Sequence, residues 1–248
     1  MSVMYLRGGT PLEGELTVHG AKNSVLPILA ACLLAREPVT LRNCPRLTDV
    51  TAALGILRRL GCRVEQEGQT IFVDPAGVSG CSISEKQMRA MRSSIIFLGP
   101  LLARMGEAHL TYPGGCELGP RPIDLHLSAI RALGCEMSED RGIHCQGRPR
   151  GGEIQLSLPS VGATENAMLC AVGASGPTTI TNAAREPEIG DLQSFLNSLG
   201  ACVRGAGSST VTVEGGRPLS GGEYTVMGDR IVAATLLSAA ASAGGRVR

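Results

Sequence analysis

The 248-residue sequence predicts an α/β fold in which three copies of one unit pack around buried helices. Three observations carry that expectation. The segments "LGILRRLGCRVEQEGQTIFVDP", "LSAIRALGCEMSEDRGIHCQG" and "LQSFLNSLGACVRGAGSSTVTVEGG" each read as an amphipathic helix closed by Leu-Gly, then a strand, a turn and a second strand. Their closing glycines, Gly61, Gly134 and Gly200, recur at about seventy residues, too long a period for a short-repeat solenoid. The preceding segments, "AKNSVLPILAACLLAREPVTLRN", "RAMRSSIIFLGPLLARMGEAHLTYP" and "SVGATENAMLCAVGASGPTTITNAA", each read as a helix of small and aliphatic residues, a turn and a short β-branched strand. Helices apolar nearly all round belong in a core.

Taken along the chain, "MYLRGGTPLEGELTVHG" is one extended segment leading toward the first unit. Each unit then runs helix, strand, helix, strand, strand, with a further strand leading in. Gly61, Gly134 and Gly200 stand where a helix end favours a left-handed residue. Asp49, Asp124 and Asp191 precede the second helix of each unit, where a carboxylate suits the helix dipole and can cap. At "GDRIVAATLLSAAASAGGRVR" a fourth unit begins, with the same helix, glycine turn and strand start. The expected organisation is therefore an extended segment over 1–20 that belongs to an incomplete second domain, a complete three-unit domain over 21–227 and the first helix of that second domain over 228–248. A chain that stops halfway through a unit is expected to be a fragment of a longer protein.

Composition narrows the function. With 43% hydrophobic and 18% charged residues the chain has the make-up of an ordered globular protein. A net charge of +1 provides no electrostatic footprint for nucleic acid or an acidic membrane. Three Tyr, three Phe and no Trp leave no platform for stacking bases. No apolar run is long enough for a membrane span, and the N-terminus lacks a signal-peptide layout. Nine cysteines, an odd number without Cys-x-x-Cys, point to free thiols in a reducing cytoplasm, with Cys32 and Cys170 acting as small buried hydrophobes. No metal-ligand pattern, P-loop or dinucleotide fingerprint is present, so neither metal nor cofactor is expected.

Four stretches carry chemistry. "HGAKNSVLP" sets Lys22 and Asn23 at the start of the first buried helix, either as an anion site or as a cap beside a solvated lysine. "MRAMRSSIIF" puts Arg89 and Arg92, then Ser93 and Ser94, at the matching point of the second unit. "LPSVGATENAM" opens the third with Ser160, Gly162 and Thr164, a set suited to backbone contacts with a phosphate or a polar ring, or simply to starting a helix. In "TYPGGCELGPRPIDLH", Cys116 sits among glycines and prolines with Arg121 close enough in sequence to lower a thiol's pKa. It is either an incidental surface cysteine or a mobile nucleophile or proton donor. His126 falls in the helix after Asp124 and reads as structural rather than as the partner of Cys116.

"GAKN", "PGGC…G.RP.D.H", "SVGAT" and "NAAREPEI", in that order, resemble the UDP-N-acetylglucosamine 1-carboxyvinyltransferases along the whole chain. The resemblance covers only about the first three-fifths of that family's length. It implies the enolpyruvyl transferase fold, two inside-out, barrel-like α/β domains of three units each with substrates between them. It also implies transfer of the enolpyruvyl group of phosphoenolpyruvate to the sugar 3′-hydroxyl with release of phosphate, the first committed step toward peptidoglycan.

By the same resemblance Cys116 is the loop acid, open to alkylation by the epoxide fosfomycin, and Lys22, Asn23 and Arg121 bind phosphoenolpyruvate. Arg92, Arg121, Pro122, Ile123, Asp124 and Leu125 match residues that hold the UDP-sugar. So do Ser160, Val161 and Gly162, within a segment starting at Leu158. An aspartate near the attacking hydroxyl and several arginines of the family have no counterpart here, so little turnover is expected from these 248 residues alone. Two alternatives remain: a non-catalytic UDP-sugar-binding module or paralogue, and the related shikimate-pathway transferase. The latter would carry Gly-Asp-Lys-Ser in place of Gly-Ala-Lys-Asn and would lack the cysteine loop.

Overall fold

The computed structural model describes residues 3–5, 8–114, 122–140 and 142–248. Strand β1 (Leu12–Gly14) precedes the first unit, which consists of α1 (Lys22–Ala31), a 3-10 turn (Cys32–Leu34), β2 (Val39–Arg42), α2 (Thr48–Leu60), β3 (Arg63–Glu67) and β4 (Thr70–Asp74). The second contains α3 (Glu85–Ala90), a 3-10 segment (Arg92–Phe97), α4 (Leu98–Met105), β5 (Glu107–Leu110), α5 (Asp124–Ala132), β6 (Glu136–Ser138) and β7 (Ile143–Gln146). The third runs β8 (Gly152–Gln155), α6 (Val161–Val172), β9 (Pro177–Thr181), α7 (Pro187–Ser198), β10 (Cys202–Arg204) and β11 (Thr210–Glu214). After it come β12 (Gly222–Thr225), α8 (Arg230–Ala243) and β13 (Gly245–Val247).

The repeat is visible in the sheets, ordered β12-β2-β4-β3, β5-β7-β6 and β10-β11-β9-β8. In each, the first strand of the unit pairs antiparallel with the last. A parallel lead-in runs along its other edge: β8 beside β9, and a bridge at Ser82 beside His109 of β5. For the first unit the lead-in is β12, from the far end of the chain, paired parallel with β2. Among the described residues, the extended segment over 1–20 supplies no strand to that sheet. Instead β1 pairs in parallel with β13, Leu12 opposite Gly245.

Burial follows the pattern of the sequence. α1 and α6 are enclosed over nearly their whole length by α2, α4, α5 and α7. Amphipathic α2 turns Val50, Ala53, Leu54, Ile56, Leu57 and Leu60 inward and ends on Gly61 at φ +108°, the left-handed cap the Leu-Gly closure requires. The buried helix of the second unit departs from expectation, being divided into α3, the 3-10 segment and α4. Met91 is extended (φ −142°, ψ 125°) and breaks the helical run. The Gln87 side chain turns back to the Ser84 N–H (3.3 Å) and defines α3 as a separate capped helix. Asp191 is a second departure, because α7 begins at Pro187 and places it inside the helix. Its carboxylate accepts from Ser24 Oγ of α1, from Tyr224 Oη (2.6 Å) and from the Met227 N–H (3.3 Å). Asp191 thus ties α7 to α1 and to the closing strand. Cys32 and Cys170 are fully buried, as their apolar surroundings suggest.

The tightest helix crossing is α4 on α6. A Cβ at Gly99 would lie 2.4 Å from the Asn166 carbonyl oxygen and 2.6 Å from its Oδ1. Gly99→Ala must push the two helices apart, with a cost of about 1–3 kcal/mol. Gly190→Ala on α7 meets nothing within 4 Å and serves as the control. A melting temperature lowered by Gly99→Ala and held or raised by Gly190→Ala is expected; equal melts for the two would refute the close-approach account.

Candidate functional site

A cleft of about 760 Å³ opens where the three repeats present their buried helices. Lys22 and Asn23 at the start of α1, Arg92 and Ser93 at the start of the 3-10 segment, and Ser160, Val161 and Gly162 at the start of α6 all line it. These are matching points of the three units, so one repeated turn brings two helix N-termini and two cations to a common space. Uncommitted N–H groups and positive dipole ends favour an anion there.

Each start is held differently. The Lys22 N–H donates to Asp229 Oδ2 (3.1 Å), and the same carboxylate accepts from the Ile231 and Val232 N–H groups (2.9 and 3.0 Å). Asp229 thus caps α1 and α8 together. Burial acts to raise its pKa, but the three N–H bonds and His19 outweigh that and hold it below the usual carboxylate value. Lys22 Nζ lies 3.2 Å from Asp49, so Asp49 serves the lysine rather than capping α2. At α6 the Ser160 hydroxyl accepts from the Ala163 N–H (3.4 Å). A Cβ on Gly162 would stand 3.1 Å from His126 Cε1, which makes glycine the fitting residue at that wall.

His126 lies in α5 and lines the cleft. Its Nδ1 accepts from Asn166 Nδ2 (3.1 Å), which fixes the neutral ring. Desolvation draws its pKa down to about 4, against the opposing pull of Asp124. Asn166 also accepts from the Gly99 N–H (2.7 Å) and donates to the Ile95 carbonyl (3.0 Å).

Not every residue singled out in the sequence reaches the cleft. Pro122 and Ile123 line it, whereas Asp124 is exposed at the start of α5 and Leu125 packs against the core; Leu158 is also exposed. Arg89 closes α3 and pairs with Glu85 (2.8 Å). Ser94 is buried and donates to the Met88 carbonyl (2.8 Å). Thr164 points into the core, where its hydroxyl accepts from the Ala184 N–H (3.0 Å), so it supports the "NAAREP" turn and does not contact a ligand. Cys116 and Arg121 lie outside the described residues. The chain on either side of them, at Tyr112, Pro113 and Gly114 and at Pro122 and Ile123, forms part of the cleft wall.

The sequence reading missed an acidic wall. Glu165, Glu186 and Glu188 line the cleft with Arg230, whose Nε and Nη2 contact the Glu188 carboxylate at 3.0 and 3.1 Å. Glu165 is 5% exposed, and its Oε1 has no hydrogen-bond partner among the described residues. Burial, followed by repulsion from Glu188 and Glu186, pushes its carboxyl well above the usual range. A glutamate inside an otherwise small and apolar helix was the available signal.

Comparison with known proteins adds three findings. Residues 6–248 match the family described as EPSP synthase (3-phosphoshikimate 1-carboxyvinyltransferase). The chain is 52% identical to UDP-N-acetylglucosamine 1-carboxyvinyltransferase 2 of Caldanaerobacter subterraneus subsp. tengcongensis, over all of this chain and 60% of that protein. It is 46% identical to the transferase of the same name from Serratia proteamaculans, over 100% of this chain and 59% of that one. The chain therefore spans about three-fifths of the length of these relatives. Among solved structures, the enolpyruvyl transferase NikO from Streptomyces tendae superposes with a TM-score of 0.82 at 24% identity, covering 94% of this chain and 56% of that one. EPSP synthase from Acinetobacter baumannii gives 0.75 at 20% identity, covering 98% and 56%. Both show the enolpyruvyl transferase fold.

The buried Glu165 has a measurable signature. Its raised pKa means the folded chain keeps a proton that the unfolded chain has lost. Its contribution therefore turns unfavourable as pH climbs above the unfolded value of about 4.3. Glu165→Gln is expected to melt close to the parent at pH 4 and progressively above it toward pH 8. A difference that does not change with pH would rule out the buried-acid account.

Proposed function

Because the chain belongs to the family described as EPSP synthase (3-phosphoshikimate 1-carboxyvinyltransferase), we propose that it is the substrate-binding, cysteine-loop part of a UDP-N-acetylglucosamine enolpyruvyl transferase. The family's description carries the shikimate enzyme's name, but identities of 46–52% to UDP-N-acetylglucosamine transferases favour the nucleotide sugar as acceptor. So does Gly-Ala-Lys-Asn at Gly20 to Asn23. One observation supports the reading above all: one cleft is lined by Lys22, Asn23, Arg92, Ser160, Val161 and Gly162 and by both flanks of the Cys116 segment.

The chemistry asks for those groups. Protonation of the terminal carbon of phosphoenolpyruvate by Cys116 gives the adjacent carbon oxocarbenium character, and the sugar 3′-hydroxyl oxygen bonds to it. Loss of a proton from the same terminal carbon then expels phosphate and restores the alkene. Lys22, Asn23 and Arg121 hold the phosphate and carboxylate of phosphoenolpyruvate, and clamped anions are where such a site gains most of its rate. Arg92, Ser160, Val161, Gly162, Pro122 and Ile123 hold the nucleotide sugar, while Asp124 and Leu125 of the same matched stretch start α5. Before phosphoenolpyruvate binds, Asp49 occupies the Lys22 ammonium. The anion must replace that partner. The reaction belongs to cytoplasmic peptidoglycan synthesis and so bears on cell shape and division.

The domain division proposed is a complete three-unit body over 21–227, with 1–20 and 228–248 belonging to a second body. The β1–β13 pairing supports it, as does α8, where Ile231 is 49% and Leu237 62% exposed. The test combines two assays. UDP-N-acetylglucosamine is expected to bind the 248 residues and to promote fosfomycin alkylation of Cys116. Phosphate release should be small until the remaining two-fifths of the Caldanaerobacter relative is fused after Arg248. Full turnover by the chain alone would overturn the division of labour. Binding without alkylation or restored turnover would favour the non-catalytic module.

A further inference from the structure

No metal-ligand pattern is visible in the sequence, yet the fold assembles one away from the cleft. Donor atoms of Cys81, Glu107 and His109 all lie within 4.8 Å of one another. None of the three lines the cleft. The cluster is set by backbone pairing. The His109 N–H donates to the Cys81 carbonyl (2.8 Å), the Ile83 N–H donates to the His109 carbonyl (3.0 Å), and Ser82 bridges His109 in parallel. Glu107 and His109 stand two apart on β5 and therefore share a face of the sheet. His144 of β7 sits directly opposite His109 on that face, with the two Nδ1 atoms 2.8 Å apart.

We propose that Cys81, Glu107 and His109 bind one borderline-soft divalent ion, Zn2+, with His144 as the positioning residue. His109 Nε2 lies 2.6 Å from Glu107 Oε1. The contact with His144 Nδ1 fixes the His109 ring with Nε2 facing the Glu107 carboxylate, so both donors can turn to one ion. Histidine ligands elsewhere are oriented in the same way, by a hydrogen bond from the second ring nitrogen.

Thiolate, imidazole and carboxylate together favour zinc over calcium or magnesium. Zinc bonds of about 2.0–2.3 Å place tetrahedral ligands about 3.3–3.8 Å apart, so side-chain rotation suffices to close the cluster. On binding, the Cys81 thiol gives its proton to solvent, no electron moves, and the fourth position is left to water. The ion would clip the Cys81 segment to β5, the strand whose far end runs into Thr111 and the cleft wall.

The probes are Co2+ and Zn2+ alone, added to the whole chain after chelator treatment. One equivalent of Co2+ is expected to give tetrahedral visible bands and a thiolate-to-cobalt charge-transfer band. Cys81→Ser should abolish the charge-transfer band. Cys81→Ser, His109→Gln and Glu107→Gln should each weaken Zn2+ binding at least tenfold, and His144→Ala should weaken it less. Cys116→Ser should keep both the equivalent and the band. The proposal fails if the chain takes up no metal at micromolar concentration, if the band survives Cys81→Ser, or if Cys116→Ser removes it. Glu107 is about half exposed, so Glu107→Gln should keep the fold, and its Zn2+ affinity decides the matter if Cys81→Ser does not fold.

Discussion

Asn166 is fully buried where α4, α5 and α6 meet, and its side-chain amide makes three hydrogen bonds. Two of its partners, the Gly99 N–H and the Ile95 carbonyl, are backbone groups at the junction between the 3-10 segment and α4. Turns of that kind leave backbone donors and acceptors without helical partners, and burying them unpaired would be costly. Asn166 supplies both. The helix of the second unit can therefore break at Met91 and still pack in the core, which puts Arg92 at the cleft rather than inside a continuous helix. The third bond fixes His126 against α6, with Gly162 leaving room for the ring. One polar side chain thus sets the backbone of one unit and a wall residue from another element.

Two cations of the cleft already have carboxylate partners. Lys22 faces Asp49 and Arg230 faces Glu188, while Glu165 is kept from ionising by burial and by its acidic neighbours. A site for anions built from bare cations would repel itself. Pairing Lys22 with Asp49 and Arg230 with Glu188 lets the fold hold those cations at short range, and a ligand with several negative groups would compete by making more bonds than the carboxylate it displaces. Asp49 and Glu188 then have a structural purpose: they hold Lys22 and Arg230 in place.

The architecture was legible because it is periodic. A pattern repeated three times, with Leu-Gly at Gly61, Gly134 and Gly200, averages out local ambiguity, and the buried character of α1 and α6 shows in their lack of polar faces. Lys22, Asn23, Arg92 and the start of α6 were legible for the same reason, as matching points of one unit. What could not be read depends on contacts between distant residues. Thr164 resembles a ligand contact until its hydroxyl is seen to hold Ala184. Asp191 resembles a cap until α7 starts at Pro187 and turns its carboxylate toward Ser24 and Tyr224. The acidic wall and the Cys81 cluster each draw on separate segments, and no local spacing records them.

The repeat also imposes an order of assembly. The second and third units obtain their lead-in from the residues just before them, but the first obtains it from β12, and Asn43 and Val226, 183 residues apart, are joined by a side-chain bond beside that pairing. The ring of units closes only when β12 docks on β2. Asp229, just beyond β12, is the residue that caps α1 at Lys22 across a separation of 207 residues. Lys22 and Asn23 lie early in the chain, yet the helix start that presents them is completed by one of its last parts. Long-range closure is slow to form because the loop entropy must be overcome before the contact returns anything. The N-terminal end of α1 is therefore completed only with ring closure, and a chain ending before Asp229 would hold the lysine without the cap that positions it.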